Sequence, residues 1–298
     1  MSAGSRKLNT IAIRRPARPN GALAAGSATW PIVAAMAVTD LLPAAGRPHV
    51  VGRLRGLSIV LPCHDEAENV DRAIDEATTA GELVADAHEV IVVDDGSSDA
   101  TRELAAARAA EDPRVRVLVH DVNRGYGAAV KTGIAAARLE WIFLTDADLQ
   151  FDMTELSRFA PLAPSCDIVA GYRVHRADPP HRLLNAAAWN FLVRRVFHVG
   201  LRDVDCAFKL MRRDVVQPLP LASDGAMVST ELVIRARDAG ARIVELGVGH
   251  RPRAAGRSSG ASPRVVVRAF RELRAVRAEL RVAAADTSPT PLSRPRAA

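Results

Sequence analysis

At 298 residues, 48% hydrophobic and 25% charged, the chain has room for one large α/β domain or two small ones around a sizeable core. Its net charge of +6 is unevenly spread: residues 1–56 carry +7, residues 251–298 carry +8, and residues 57–250 are left with −9. An acidic body with 4% aromatic residues speaks against a nucleic-acid partner, whereas basic ends suit an anionic surface such as a membrane. Cys63, Cys166 and Cys206 are far apart and form no redox or zinc motif, so the expected setting is reducing and cytoplasmic. No stretch is long and apolar enough to span a bilayer; the nearest, residues 22–38, is short and contains Pro31. No clean signal peptide is present. Residues 1–55 read as a disordered basic extension, with at most a weak helix near 30–42.

Ordered structure is expected from Leu57, where Leu-Ser-Ile-Val-Leu-Pro62 is an apolar strand ending at a proline. A polar stretch, Cys63–Asn69, leads into a helix that ends near Gly81. Val90–Val93 is a continuous apolar run of the kind buried on both faces of a parallel sheet. It stops at Asp94-Asp-Gly-Ser-Ser-Asp99, and a helix with a Ser/Asp cap follows to about Ala110. Val115–Val119 is the third strand. Asn123-Arg-Gly-Tyr-Gly127 is a turn, followed by an Ala-rich helix to Arg138. The fourth strand, Trp141-Ile-Phe-Leu144, stops on Thr145-Asp-Ala-Asp148.

The second half is less regular. It reads as a strand at 167–171, a basic loop at 172–178, a helix at 182–199, a turn and strand at 203–211, a helix ended by Gly240, and a strand at 243–248. A basic loop at 251–259 leads into an amphipathic helix reaching about Val282. Val266, Phe270, Leu273, Val276 and Leu280 share one face of that helix, and six arginines occupy the rest. Such a helix suits an anionic membrane surface, or it packs on the body with a solvated Arg face. The expected divisions are an extension at 1–55, a main domain at 56–250, the basic loop and helix at 251–283, and a tail at 284–298.

Strands and helices alternating at this spacing imply a mostly parallel sheet with helices on both faces and no transmembrane helix. In such sheets ligands bind beyond the carboxyl ends of the strands. The polar clusters 62–69, 94–99 and 145–152 all lie there and should converge on one crevice. Asp146 and Asp148, spaced i, i+2 at a strand end, point the same way. Two close carboxylates, with Gln150 as a third oxygen, suit Mg²⁺ or Mn²⁺ completed by water and a substrate phosphate. A plain polar turn with an Asp helix cap is the competing reading.

The ordered set Pro62-Cys-His-Asp-Glu66, Asp94-Asp-Gly-Ser-Ser-Asp99, Asn123-Arg-Gly-Tyr-Gly127 and Asp146-Ala-Asp-Leu-Gln150 resembles the inverting family 2 glycosyltransferases of GT-A (Rossmann-like) fold. Gly171-Tyr-Arg173, Arg182, Asp203-Val-Asp-Cys-Ala-Phe-Lys209, Ser229-Thr-Glu231 and Arg253-Ala-Ala-Gly-Arg257 are similar to the dolichol-phosphate mannosyltransferase branch. The resemblance implies transfer of a sugar from a nucleotide sugar, with GDP-mannose the first choice, to a polyprenyl phosphate at the inner face of a membrane. It places Pro62, His64, Glu66, Val93, Asp95 and Ala147 around the nucleotide, and the cation on Asp146, Asp148 and Gln150. His64 and Asp65 depart from the usual Tyr and Asn.

Arg173, Arg182, Lys209, Arg253 and Arg257 supply positive charge for phosphate oxygens, since guanidinium forks match them. The Gly125/Gly127 turn is expected to start a helix, with Lys131 a further candidate to approach a phosphate. Asp94 is expected to brace its loop. Asp148, Arg173 and Glu231 are the catalytic candidates, with Glu231 open between a helix cap and a base. Two other classes remain: a glycosyltransferase with another donor, such as UDP-glucose, or a hydroxyl acceptor; and a non-catalytic nucleotide- or membrane-binding protein.

Overall fold

The computed structural model describes residues 53–174, 180–253 and 263–286. The expected extension before residue 53, most of the basic loop after Arg173, Arg257 with its neighbours, and the tail after 286 lie outside the described residues. So does the side chain of Arg182.

The strands are β1 (Leu57–Cys63), β2 (His88–Asp94), β3 (Val115–Val119), β4 (Trp141–Leu144), β5 (Ile168–Val174), β6 (Lys209–Arg212) and β7 (Ile243–Gly249). They form one sheet in the order β3-β2-β1-β4-β6-β5-β7. All pairings are parallel except those of β6, which runs antiparallel to both β4 and β5. The chain lays down β1, β2 and β3 outward, then crosses back to place β4 on the other side of β1. That reversal opens a crevice at the carboxyl ends of β1 and β4. β6, being antiparallel, brings its first residue to the same edge: Lys209 pairs with Leu144.

The helices are α1 (Val70–Val84), α2 (Thr101–Glu111), α3 (Tyr126–Ala136), α4 (Leu156–Phe159), α5 (Pro180–Phe197), α6 (Arg213–Val216), α7 (Val228–Asp238) and α8 (Pro263–Asp286). Alternate residues of each strand feed separate cores, as a period of two requires. Leu57, Ile59 and Leu61 pack with α1 and the short turns of 153–163, while Val60, Ile91 and Val93 pack with α3, α5 and α7. Each such fully buried side chain contributes about 1.5–3 kcal/mol.

Several boundaries move. Leu54 bridges Ala85, so the fold begins at least two residues before the expected boundary at 56. α5 starts at Pro180 and stops at Phe197, where His198 takes φ +54°. α7 begins at Val228, which puts Glu231 inside the helix rather than at its cap. The C-terminal helix is not a separate appendage. Leu273 and Val276 of α8 are buried in the α3/α5/α7 core, Trp189 meets Phe270 edge to face, and Arg235 pairs with Glu279. Among the described residues, no helix is long and apolar enough to cross a membrane.

Candidate active site

Three loops leave the carboxyl edge of the sheet and are bound to one another. Asp65, with φ +53°, donates its N–H to Ser97 Oγ (3.0 Å), and its Oδ1 accepts from Ser98 N (2.7 Å). Glu66 N donates to Thr101 Oγ1 (2.8 Å), and Ala67 N to Asp99 Oδ2 (3.0 Å). Ser97 N in turn donates to Asp94 Oδ1, and Arg102 donates to Asp94 Oδ2, so Asp94 braces its loop as expected. The loops after β1 and β2 are thereby zipped together, with Pro62 and Val93 in register beneath them.

The loop after β4 joins through Arg253. Its guanidinium pairs with Glu66 Oε1 and also donates to Asp148 Oδ2 at 3.5 Å. One side chain after β7 thus ties the β1 and β4 loops across the crevice. Leu149, buried at φ +59°, sits in a left-handed turn that a leucine rarely holds. That turn aims Gln150 N at Asp148 Oδ1 (3.1 Å). Ala147 is buried between the two aspartates.

Asp146 and Asp148 carry the strongest electrostatic signal. Burial pushes the Asp146 carboxyl up, opposed by a hydrogen bond from Tyr126 and by the charges of Arg173 and Lys209. Burial and the neighbouring Asp146 push Asp148 up to about 7. Asp146 Oδ1 is buried and has no hydrogen-bond partner among the described residues. Two crowded carboxylates with an orphaned inward oxygen are the donor set a hard divalent cation fits. No group of three His, Cys, Asp or Glu suited to a metal occurs among the described residues, so remaining ligands would come from phosphate and water.

The other expected ligands have neighbours of their own. Gln150 gives its side-chain nitrogen to Arg251 O (3.2 Å) and its carbonyl to Arg251 N (2.8 Å), so it ties two loops. Asp95 is buried; Oδ1 lies 2.6 Å from His120 Nδ1 and accepts from Arg124 N, while Oδ2 accepts from Gly125 N. Its carboxylate braces the 120–125 segment instead of standing open to a nucleotide. His64 is half-exposed beside Asp65, 3.5 Å away.

The expected phosphate-binding cations have protein partners. Arg173 forks onto Asp203 at 2.6 and 2.7 Å, and this partner keeps it charged despite burial. Lys209 is wholly buried; burial lowers its pKa, and its ammonium donates to the carbonyls of Val204 and Cys206. Together they form a positive floor that opposes the charge of Asp146. Lys131 is paired with Asp224 at 2.6 Å. Glu231 is wholly buried: Ala222 N, Ser223 N and Arg235 Nε donate to it at 2.9, 2.8 and 2.6 Å. That placement makes it a brace for the 222–223 turn.

Tyr126, His120, Ser229 and Asp203 were not among the expected site residues, although Tyr126, Ser229 and Asp203 stand within the quoted motifs. Tyr126 was visible within Gly-Tyr-Gly, but that motif reads as a helix start. Its hydroxyl lies near Asp146 and Ser229, and burial together with the Asp146 charge pushes its pKa up.

Residues 58–219 match the family described as Glycosyl transferase family 2. The chain belongs to that family. Among the family's curated members, the undecaprenyl-phosphate 4-deoxy-4-formamido-L-arabinose transferases of Yersinia pestis (strain Pestoides F) and Yersinia pseudotuberculosis serotype O:3 (strain YPIII) are 32% identical over 216 residues, which is 72% of this chain. The chain spans 65% of the length of these relatives. Solved structures share its fold, among them the following two. A mycobacterial protein superposes with TM-score 0.62 at 20% identity, covering 78% of this chain and 80% of that one. Glucosyl-3-phosphoglycerate synthase from Mycobacterium tuberculosis, in complex with Mn²⁺, UDP and glucosyl-3-phosphoglycerate, gives 0.60 at 19%, covering 75% and 80%. The expected family 2 membership and GT-A fold are both borne out.

Proposed function

We propose that the chain transfers a sugar from a nucleotide sugar to a polyprenyl phosphate, with inversion and with Mg²⁺ or Mn²⁺ bound. The observation that carries this reading is the Asp146–Asp148 pair at the switch point, with its orphaned oxygen, in a family 2 fold. The names of the curated relatives support the polyprenyl phosphate, and the Mn²⁺ and UDP in one structural neighbour support the donor class.

Asp146 and Asp148 would hold the cation, which would offset negative charge on the departing diphosphate. The 62–67 and 94–99 loops would frame the nucleotide. An acceptor phosphate oxygen attacks the anomeric carbon as the bond to the diphosphate breaks. The bonding pair leaves with the nucleoside diphosphate, and no proton need move. A phosphate monoester is already an anion at neutral pH, so this reaction needs no base. The burial and pairing of Glu231 support that choice over a hydroxyl acceptor. Arg253, with Arg182 and Arg257, is the arginine set we assign to the phosphates.

We assign the membrane contact to α5 and α8, because Phe191, Val267 and Phe270 are exposed there and Arg271, Arg274, Arg277 and Arg281 are exposed on α8. Mannose from GDP-mannose is the first donor to test, with UDP-glucose as the alternative. The test incubates the purified chain and Mn²⁺ with a panel of labelled nucleotide sugars and polyprenyl phosphate. Label in the lipid fraction is expected with one donor and is lost with EDTA. Equal product with EDTA, or none with any donor, rejects the reading.

A further inference from the structure

Tyr126, whose hydroxyl feels the charge of Asp146, stands in a segment that is gripped on two sides. On the first side, Asp95 accepts from Arg124 N at 2.9 Å and from Gly125 N at 2.8 Å, with His120 closing on the same carboxylate. Gly125 takes φ +108°, which a side chain would strain. On the second side lies the turn Ser223–Gly225. Gly127 N donates to Asp224 O at 2.8 Å, and a Cβ on Gly127 would stand 2.6 Å from Ser223 O. The first turn of α3 therefore rests directly on that turn.

The turn is in its own right fastened to α8. Gly225 N donates to Glu272 Oε1 at 2.9 Å, and Arg268 Nε donates to the same oxygen at 2.9 Å. The Arg268 guanidinium also stands 3.8 Å from Asp224 Oδ2 and donates to Arg124 O at 3.5 Å. These two α8 residues therefore touch both the supporting turn and the segment that carries Tyr126. They are far from Asp146 in sequence.

We propose that Arg268 and Glu272 are positioning residues for the candidate active site. They hold the Ser223–Gly225 turn against Gly125–Gly127 and so set where Tyr126 stands beside Asp146. Its catalytic consequence rests on the reading of Asp146 as a cation ligand; the positioning itself does not. A helix that merely covered the core would add stability and leave Tyr126 where it is.

The chain has two tyrosines, Tyr126 and Tyr172, so the full-length protein labelled with 3-fluorotyrosine gives two ¹⁹F resonances. Tyr126→Phe assigns them. In Arg268→Ala and Glu272→Ala, checked for folding by circular dichroism, the Tyr126 resonance moves and that of Tyr172 stays. Calorimetric titration with Mn²⁺ shows about a tenfold weakening in each, the scale on which partners of metal ligands act. Tyr126→Phe weakens binding about equally, and combining it with Glu272→Ala adds little further loss. An unmoved Tyr126 resonance in both variants, or losses that multiply in the combined variant, overturns the proposal. Should the alanine variants not fold, Arg268→Lys and Glu272→Gln carry the same comparison. A wild-type chain that binds no Mn²⁺ counts against the proposed function, while the fluorine spectra still decide the positioning.

Discussion

Asp146 and Asp148 burden each other, and burial outweighs the nearby charges of Arg173, Lys209 and Arg253. Replacing Asp148 by Ala should lower transfer by about 10²-fold or more, the scale on which removal of a transition-state stabiliser acts. Initial rates at saturating donor check this. Glu231 should behave differently. Burial works against its charge, but the Ala222 and Ser223 N–H groups and Arg235 outweigh it and hold the carboxyl below its usual range. Glu231→Gln should cost about 3 kcal/mol in denaturant unfolding, as breaking a buried pair does, and leave kcat largely intact. The sign with pH follows. A carboxyl depressed in the folded state contributes stability above its unfolded pKa, near 4.3, and loses it as pH falls. The gap between wild type and Glu231→Gln should therefore close below about pH 4. Residue identity alone made Arg173 and Lys209 look like phosphate ligands. Their types were legible, but their partners were not: Asp203 and the Val204 and Cys206 carbonyls are brought to them by the antiparallel β6 and its turn.

At the scale of elements, β1 to β4 could be read directly because buried parallel strands are unbroken apolar runs between short turns. The crevice was readable for the same reason: every polar cluster followed such a run. β6 was readable as a strand but not in direction. Its four residues, Lys-Leu-Met-Arg, have no pattern that distinguishes parallel from antiparallel, and pairing with β4 and β5 decides it. For α8 the hydrophobic stripe was correct and its destination open. The structure sends Leu273 and Val276 into the core and leaves Phe270 partly exposed against Trp189. Leu273→Ala should destabilise the fold by about 2–4 kcal/mol, whereas Arg274→Ala on the open face should change little. Urea unfolding of both variants makes the comparison.

At the scale of the molecule, charge and apolar exposure coincide on α8. The described sheet and its loops lie within the acidic stretch, while α8 presents Arg271, Arg274, Arg277 and Arg281 to solvent. If this face meets lipid, co-sedimentation with vesicles containing phosphatidylglycerol should be strong at low salt. Each arginine near the surface is worth about 1 kcal/mol, so binding should fall steeply as salt rises and in Arg274→Glu/Arg277→Glu. Neutral phosphatidylcholine vesicles should bind weakly, and equal binding to both would remove lipid charge from the account.

The reversed strand also dictates an order of assembly. β1 to β4 can pair as each leaves the ribosome, since every partner is the next strand or the one just across β1. The seam between β4 and β6 must wait until Arg212 has emerged to meet Trp141, and the Arg253 bridge between Glu66 and Asp148 waits longer still. Contacts of such sequence separation form late and are slow to close. The crevice is therefore finished by the last parts of the chain to arrive. On gentle denaturation those parts should let go first, so activity should fade at lower urea than the far-ultraviolet signal of the first four strands and their helices.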